Sequence, residues 1–324
     1  MNSKPITFPI ARRHDTKFLL DGTVRVEGYN IQFSDTGPLP WPYFSDMVTT
    51  LSYDIAEQAL SHYFIARSVG KPLTAIPVFP SSFFPQMGIA VHLASNIKDP
   101  KDLEGRRVGV PGFGYNPAVW FRWILKTIYQ VDPTKIIWVE DEDDLFFNHL
   151  PYPRPKQFSI ERLPGLTKQT VVHGGIFAGE YLQQGSIDAI LLPSGGAPPT
   201  KTTGPLFADP QREISGAVAK TGVFPINTVI TLTSHIVDEH PGLPAALFSA
   251  FQKVKALYDK ETHSRVESVH MGLQVDFLEH LGVFPVRYGL ANNQHKLQAM
   301  LSELKDENFV KPQAVLSDFF ETVG

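Results

Sequence analysis

The chain has no cysteine among its 324 residues, which removes disulfides, thiolate metal sites and cysteine nucleophiles together. No apolar run approaches the roughly 20 residues needed to cross a bilayer. Positive charge is also scarce and scattered: 29 Lys and Arg stand against 33 Asp and Glu, a net charge of −4, so the basic footprint of a nucleic-acid binder is missing. Several motifs are absent as well. There is no H-E-x-x-H pair, no Walker loop, no dinucleotide glycine fingerprint and no G-x-S-x-G elbow. The opening MNSKPITFPIARRHD lacks the apolar core and small-residue cleavage site of an export signal. These absences lead us to expect a soluble cytoplasmic protein with no metal, cofactor, membrane or nucleic-acid partner.

What is present points to a small-molecule protein. At 324 residues, with 43% hydrophobic and 19% charged side chains, the chain is globular and long enough for two lobes with a cleft between them. Strand candidates at Ile6–Ala11, Val24–Phe33, Leu73–Phe79, Gly88–Leu93, Arg107–Val110, Ile136–Val139, Ile187–Leu192 and Pro225–Leu232 alternate with helix candidates near 41–50, 59–68, 117–129 and 175–184. That alternation predicts an α/β fold with mainly parallel sheet. The last ninety or so residues read as helices over 235–260, 263–281, 290–306 and 312–322, with faces that pack on the first sheet. Residues 141–170, acidic and then Pro-rich, read as a surface insertion or arm.

The segment 99–111 (DPKDLEGRRVGVP), then GEYLQQGSIDA at 179–189, then a helical tail resembles the type II periplasmic-binding-protein superfamily. Within it, LLDGTVRVEGYNIQF, IAEQALSHYFIARSVG, AIPVFPSSFF, GRRVGVPGFGYNPAVWFRWIL, KTGVFPINTVI and YGLANN resemble the 4,5-dihydroxyphthalate decarboxylase family, cytosolic enzymes rather than transport receptors. The resemblance implies a two-lobed fold with a helical C-terminal tail: residues 1–87 plus 228–324 in one lobe, 88–227 in the other, and crossings near Met87–Val91 and Gly222–Thr228. It also implies a cofactor-independent carbon–carbon lyase, a decarboxylase of a hydroxylated aromatic or similarly activated acid. Against the family pattern, Ser82, Pro85 and Gln86 stand where the loop after PVFPS carries Arg and Arg-His. Thr228 replaces a His, Phe284 replaces an Asp, and Arg287 takes an apolar position.

The residues themselves suggest where chemistry sits. Arg12, Arg13, His14 and Asp15 follow the first strand, at the sheet end where an α/β protein meets its ligand, so Arg12 or Arg13 can hold an acid and His14 can move a proton. Ser61 and His62 open the next helix, and His62 is the alternative proton carrier. Gly114, Tyr115 and Asn116 can offer backbone N–H groups and an aromatic wall, facing a lip of Phe79, Ser81, Ser82 and Phe83. Weaker signals are His173 with its glycines, Ser194–Gly196, Thr221, Asn227, Thr228 and Arg287; Trp120 reads as core, and Arg122 as core or cleft. The expected partner is a small aromatic or anionic molecule, with a homo-oligomer compatible with the long helical tail. Other lyases or cyclases and a non-catalytic binding protein remain open alternatives; the thiamine pyrimidine synthase family fits less, since it relies on a Cys-rich motif.

Overall fold

The computed structural model describes residues 4–37, 43–143, 154–166, 171–172, 175–176, 180–192, 199–263, 269–270, 273–281 and 287–323. The first elements are β1 (Ile6–Ile10), α1 (Lys17–Leu20), β2 (Ile31–Asp35), α2 (Phe44–Thr49), β3 (Ile55–Ala59), α3 (Leu60–Ser68) and β4 (Leu73–Ile76). Next come β5 (Ile89–His92), β6 (Arg107–Val110), α4 (Asn116–Thr127), β7 (Ile137–Asp141), β8 (Ser159–Leu163), β9 (Val171–Val172) and β10 (Gly175–Ile176). They are followed by α5 (Glu180–Gln183), β11 (Ala189–Leu191), β12 (Thr203–Pro205) and α6 (Pro210–Thr221). The chain finishes with β13 (Thr228–Thr233), α7 (Ser234–Glu239), α8 (Leu243–His263), β14 (Val269–His270), β15 (Leu273–Gln274), α9 (Val275–His280) and α10 (Leu290–Asp306).

Two separate main sheets result. In the first, β13 lies between β3 and β4, antiparallel to both. All six residues of β13, TVITLT, are buried, and its β-branched content suits a strand covered on both faces. The parallel pair β1–β2 extends this region, with the Thr7 amide and hydroxyl donating to Asp54 Oδ2 at 2.8 and 2.9 Å beside β3. The second sheet has the order β12-β5-β11-β6-β7-β8, of which β11, β6, β7 and β8 are parallel while β5 runs against both neighbours. The chain passes from the first sheet to the second between Ile76 and Ile89, and returns between Pro205 and Thr228. The α/β class stands, with a mixed rather than mainly parallel arrangement, because each crossing reverses the strand that receives it.

Other differences from the sequence reading have local causes. The stretch Val24–Phe33 is strand only from Ile31, since Gly28 turns with φ +84 before it. The helix expected over 235–260 breaks at His240 into α7 and α8, where Pro241 and Gly242 follow. Residues 263–281 yield β14, β15 and α9 among their described parts, and 312–322 only a short 3-10 turn at Leu316–Asp318 before Phe320 bridges Ala75. Among the described residues of the helix expected over 175–184, Glu180–Gln183 is helical (α5) and Gly175–Ile176 is extended. Within 141–170, Ser159–Leu163 is an edge strand beside β7 and not an arm; its mostly exposed pattern hid it.

The largest apolar core joins the two sheets through helices. α4 starts at Asn116–Pro117, where a proline in the first turn costs no hydrogen bond, and buries Trp120, Phe121, Ile124 and Leu125. Leu297, Met300, Leu301 and Leu304 of α10 belong to the same core, so the tail packs on α3 and α4 together instead of on the first sheet alone. Arg122 is fully enclosed there, donating to both oxygens of Glu307 (Nη2 to Oε2, 2.8 Å) and lying 3.8 Å above the Phe113 ring. Hence Arg122 serves the core and not the cleft. α3 buries seven of its nine residues, including His62 at 1% exposure, whose ring stands edge-on to Phe44 at 6.4 Å. Burial alone pushes the His62 imidazole down to about 3.

Two predictions follow from this packing. Gly88 enters β5 where an added Cβ would run into the Leu192 carbonyl and come within 2.8 Å of Phe83 Cζ. Gly88→Ala is expected to lower stability by about 1–3 kcal/mol in urea unfolding, and a midpoint unchanged from wild type would refute this contact. His62 stays neutral in the folded chain while the unfolded chain binds a proton below its ordinary value near 6.5, so stability is lost as pH falls through that point. Between pH 7 and 5 the wild type should lose about 2 kcal/mol more than His62→Gln. Parallel unfolding curves for the two proteins at both pH values would contradict it.

Candidate functional site

The turn after β1 is held by Thr16, which is fully buried; its hydroxyl donates to the Ala11 carbonyl at 2.5 Å and accepts from the Arg13 amide at 2.8 Å. This lock aims the Arg13 side chain over β3. There its Nη1 donates to Glu57 Oε2 at 2.8 Å and its Nε to Asp15 Oδ1 at 3.4 Å, while Nη2 is buried with no partner among the described residues. Burial works against the Arg13 charge, but Glu57 and Asp15 outweigh it and raise the guanidinium pKa above its usual value. Glu57 itself is completely buried, so it needs these partners.

From Glu57 a continuous chain of hydrogen bonds leads to the second sheet. Thr228 Oγ1 donates to Glu57 Oε1 at 2.6 Å and lies 2.7 Å from Ser81 Oγ. Because the Thr228 proton goes to the carboxylate, the Ser81 hydroxyl donates to Thr228 and keeps its remaining lone pair for another donor. The Ser81 carbonyl accepts from the Asn227 amide at 2.9 Å, and Ser82 pairs with Ile226, so the two crossings run side by side. Asn116, at the start of α4 and 1% exposed, completes the chain. Its amide donates to Asn227 Oδ1 at 3.1 Å and to the Ile226 carbonyl at 3.0 Å, and its Oδ1 accepts from the Ser61 amide at 2.9 Å. The Ser61 hydroxyl then donates to the Gly114 carbonyl at 2.9 Å. Thus Arg13, Thr228, Ser81, Asn227, Asn116, Ser61 and Gly114, seven residues picked from sequence, belong to one network.

Three phenols feel its charges or flank it in sequence. Tyr288 is raised above its usual pKa by burial first and then by the Asp15 charge, with Arg13 opposing and Glu57 adding, so it feels the charges of the Arg13 cluster. Tyr43 is raised by burial and by Glu57. Tyr115, next to Asn116, is raised by burial alone, so it is a neutral phenol. All three are donors that stay protonated at neutral pH.

Other residues singled out from sequence lie elsewhere. Arg12 has 70% of its side chain exposed and pairs with Asp35, away from Glu57. His14 is exposed on the Arg13 turn. His62, next to Ser61, turns into the core instead and touches Phe44. Phe79 is buried against Phe320 at 6.1 Å, and Phe83 covers Gly88. Ser82 is nearly buried within the paired crossings, and Arg287 is exposed at the foot of α10. The hydroxyl of Thr221 donates to the Ala217 carbonyl within α6. His173 and Ser194–Gly196 lie outside the described residues. Glu57 and Tyr288 were missed. A charge inside the IAEQA strand, between apolar flanks, was the available signal for Glu57, and the YGL motif was read as fold alone.

Among the described residues no group of three or more His, Asp and Glu converges as a metal site, and no helix is long and apolar enough to cross a membrane. Residues 44–150 match the family described as NMT1/THI5 like. A 4,5-dihydroxyphthalate decarboxylase of Comamonas testosteroni is 29% identical over 298 residues, covering 88% of this chain and 86% of that protein. One of Pseudomonas putida is 27% identical over 219 residues, covering 65% and 80%. Among solved structures, the alkanesulfonate-binding protein SsuA of Xanthomonas axonopodis pv. citri aligns with TM-score 0.53 at 9% identity, over 99% of this chain and all of that one (100%). The periplasmic sulfonate-binding protein SsuA of Methylobacillus flagellatus KT gives 0.54 at 11%, over 98% and 91%. These structures share the fold alone. Along most of its length the chain is thus similar in sequence to 4,5-dihydroxyphthalate decarboxylases, and it shares its fold with the two sulfonate-binding proteins.

Proposed function

We propose that this protein is a cofactor-independent carbon–carbon lyase that removes CO2 from a hydroxylated aromatic acid held between two lobes. We take residues 1–87 with 228–324 as one lobe and 88–227 as the other. The observation that carries the reading is the pairing of an unsatisfied guanidinium edge on Arg13 with the acceptor lone pair of Ser81, at two points of one buried network. A carboxylate suits the first and a phenolic hydroxyl the second. The two relatives named for this reaction support the same substrate class.

The chemistry needs no external electron sink. A ring hydroxyl donates electron density, a proton adds to the ring carbon bearing the carboxylate, and the C–C bond then breaks so that its electron pair restores the aromatic ring as CO2 leaves. Arg13, kept charged by Glu57 and Asp15, orients the acid, and the Gly114–Asn116 turn closes the opposite side. His14, exposed on the same turn as Arg13, is placed to exchange protons with water and deliver one to the ring. His62 is enclosed and neutral, which makes it a poor proton donor.

The test is CO2 release from a panel of dihydroxyphthalates, hydroxybenzoates and related acids. At least one hydroxylated member should turn over, and Arg13→Gln should lower its kcat/KM by about 10- to 100-fold, the weight of a charge-assisted hydrogen bond. Arg13→Lys should not restore the rate, because an ammonium cannot present the planar fork. Ser81→Ala should raise KM for the hydroxylated acid by about tenfold while leaving the binding of an unhydroxylated analogue unchanged. Acids that bind and are recovered intact across the panel would favour a capture protein and defeat the proposal.

A further inference from the structure

Gln86 carries a buried amide that the network running from Arg13 to Gly114 does not use. The residue is enclosed, at 3% exposure, yet its Oε1 has no hydrogen-bond partner among the described residues. A buried carbonyl oxygen without a donor is costly, and a group that brings a proton to it relieves that cost. Gln86 lies on a 3-10 turn, Pro85–Met87, closed by the Met87 amide on the Phe84 carbonyl and the Gly88 amide on the Pro85 carbonyl, both at 2.9 Å. In such a turn side chains three apart lie one above the other, and here Phe84 and Met87 share a face packed with Ile214, Phe224 and Leu278. Gln86 therefore points away from that apolar cluster. The turn packs against α4 as well as α6. It follows directly on Ser81 and Ser82, and Ser82 pairs with Ile226, whose carbonyl takes both the Asn116 amide and the Trp120 indole.

The segments that meet here carry no charge. Residues 77–88 of the first crossing, 222–228 of the second and 112–121 around the start of α4 contain no Asp, Glu, Lys, Arg or His. Lys296 meets the second crossing over the Phe224 ring, which belongs to the apolar cluster, and its ammonium donates to Asn293 Oδ1 at 3.1 Å. A buried anion needs a cation or several donors, whereas a neutral amide offers one acceptor and two N–H groups. We propose that Gln86 is a specificity-determining residue of the acid-binding site, its amide receiving a hydroxyl of the substrate ring and disfavouring a second carboxylate there. This role rests on the acid-binding reading above and narrows the substrate to a hydroxylated acid with one carboxylate. Arg13 holds that acid group, while Ser81 and Gln86 are neutral acceptors on one crossing. A hydroxyl can give its proton to Oε1; an apolar substituent leaves the oxygen bare.

Calorimetry of the full-length protein with benzoate, the hydroxybenzoates, the dihydroxybenzoates and phthalate provides the test. Wild type should bind at least one hydroxylated acid about tenfold tighter than benzoate, and phthalate no tighter than benzoate. Gln86→Met, which keeps the length of the side chain, should lose about tenfold in affinity for that hydroxylated acid and leave benzoate binding unchanged. Its urea midpoint should not fall, since no bond inside the fold is lost. Gln86→Arg should let phthalate bind about tenfold tighter than it binds wild type. Unchanged affinity of Gln86→Met for every hydroxylated acid, or phthalate bound by wild type more tightly than the hydroxybenzoates, overturns the proposal. A midpoint that falls along with the affinity marks an amide serving the fold and overturns it too, and phthalate bound no better by Gln86→Arg overturns the charge discrimination. Wild type binding none of these acids would sink the acid-binding reading itself, and this role with it, so the two failures are told apart.

Discussion

A carboxylate with no exposure to water, Glu57, dictates how the parts around it are arranged. An ionised group at zero exposure is stable only when its oxygens are matched, and here one takes the Arg13 guanidinium and the other the Thr228 hydroxyl. Those partners come from the turn after β1 and the start of β13. The need to neutralise one strand residue therefore fixes the position of a loop and of a crossing. Removing one partner would leave a buried charge uncompensated, a loss of about 3–5 kcal/mol in comparable cases, so the arrangement has little freedom to drift. The same constraint leaves Arg13 Nη2 without a partner among the described residues, and that is the edge on which the proposed reading seats the acid group.

Asn116 plays the complementary part from the other sheet. A single amide side chain accepts from α3 and donates to the return crossing, while Trp120, one turn along α4, donates to the Ile226 carbonyl at 2.8 Å. The helix carrying the glycine turn is thus pinned to the hinge rather than to its own sheet alone. Any motion of one sheet relative to the other must stretch or exchange these bonds. Closure would then be a choice between discrete hydrogen-bond sets, not a continuous swing.

Much of this was legible in the residues. Arg13 after a strand, Asn-Pro opening α4 and the glycine turn before it each announced both local structure and polar purpose, because short-range rules govern them. His62 shows what sequence leaves out. Its place at a helix start suggested a proton carrier, but packing encloses it against Phe44 and makes it neutral, while Ser61 faces Asn116. Tyr288 escaped for the opposite reason, since the charges of Asp15 and Arg13 that act on it come from the far end of the chain, a relation that no periodicity encodes. The tail over 312–322 has apolar spacing suited to a helix, yet Phe320 pairs with Ala75 in extended form, tertiary pairing having overridden propensity.

The way the final residues dock has a consequence for how the protein is made. The Tyr63 hydroxyl donates to the Phe319 carbonyl, the Glu321 amide donates to the Ala75 carbonyl at 2.8 Å, and β13 supplies the middle strand between β3 and β4. On the ribosome, β5 through α6 is a contiguous stretch that can assemble once it emerges. The strands β3 and β4 must instead wait, unjoined, until β13 has been made after the whole second sheet. Until then those two strands present open edges, so nascent-chain protection matters more for them than for the second sheet.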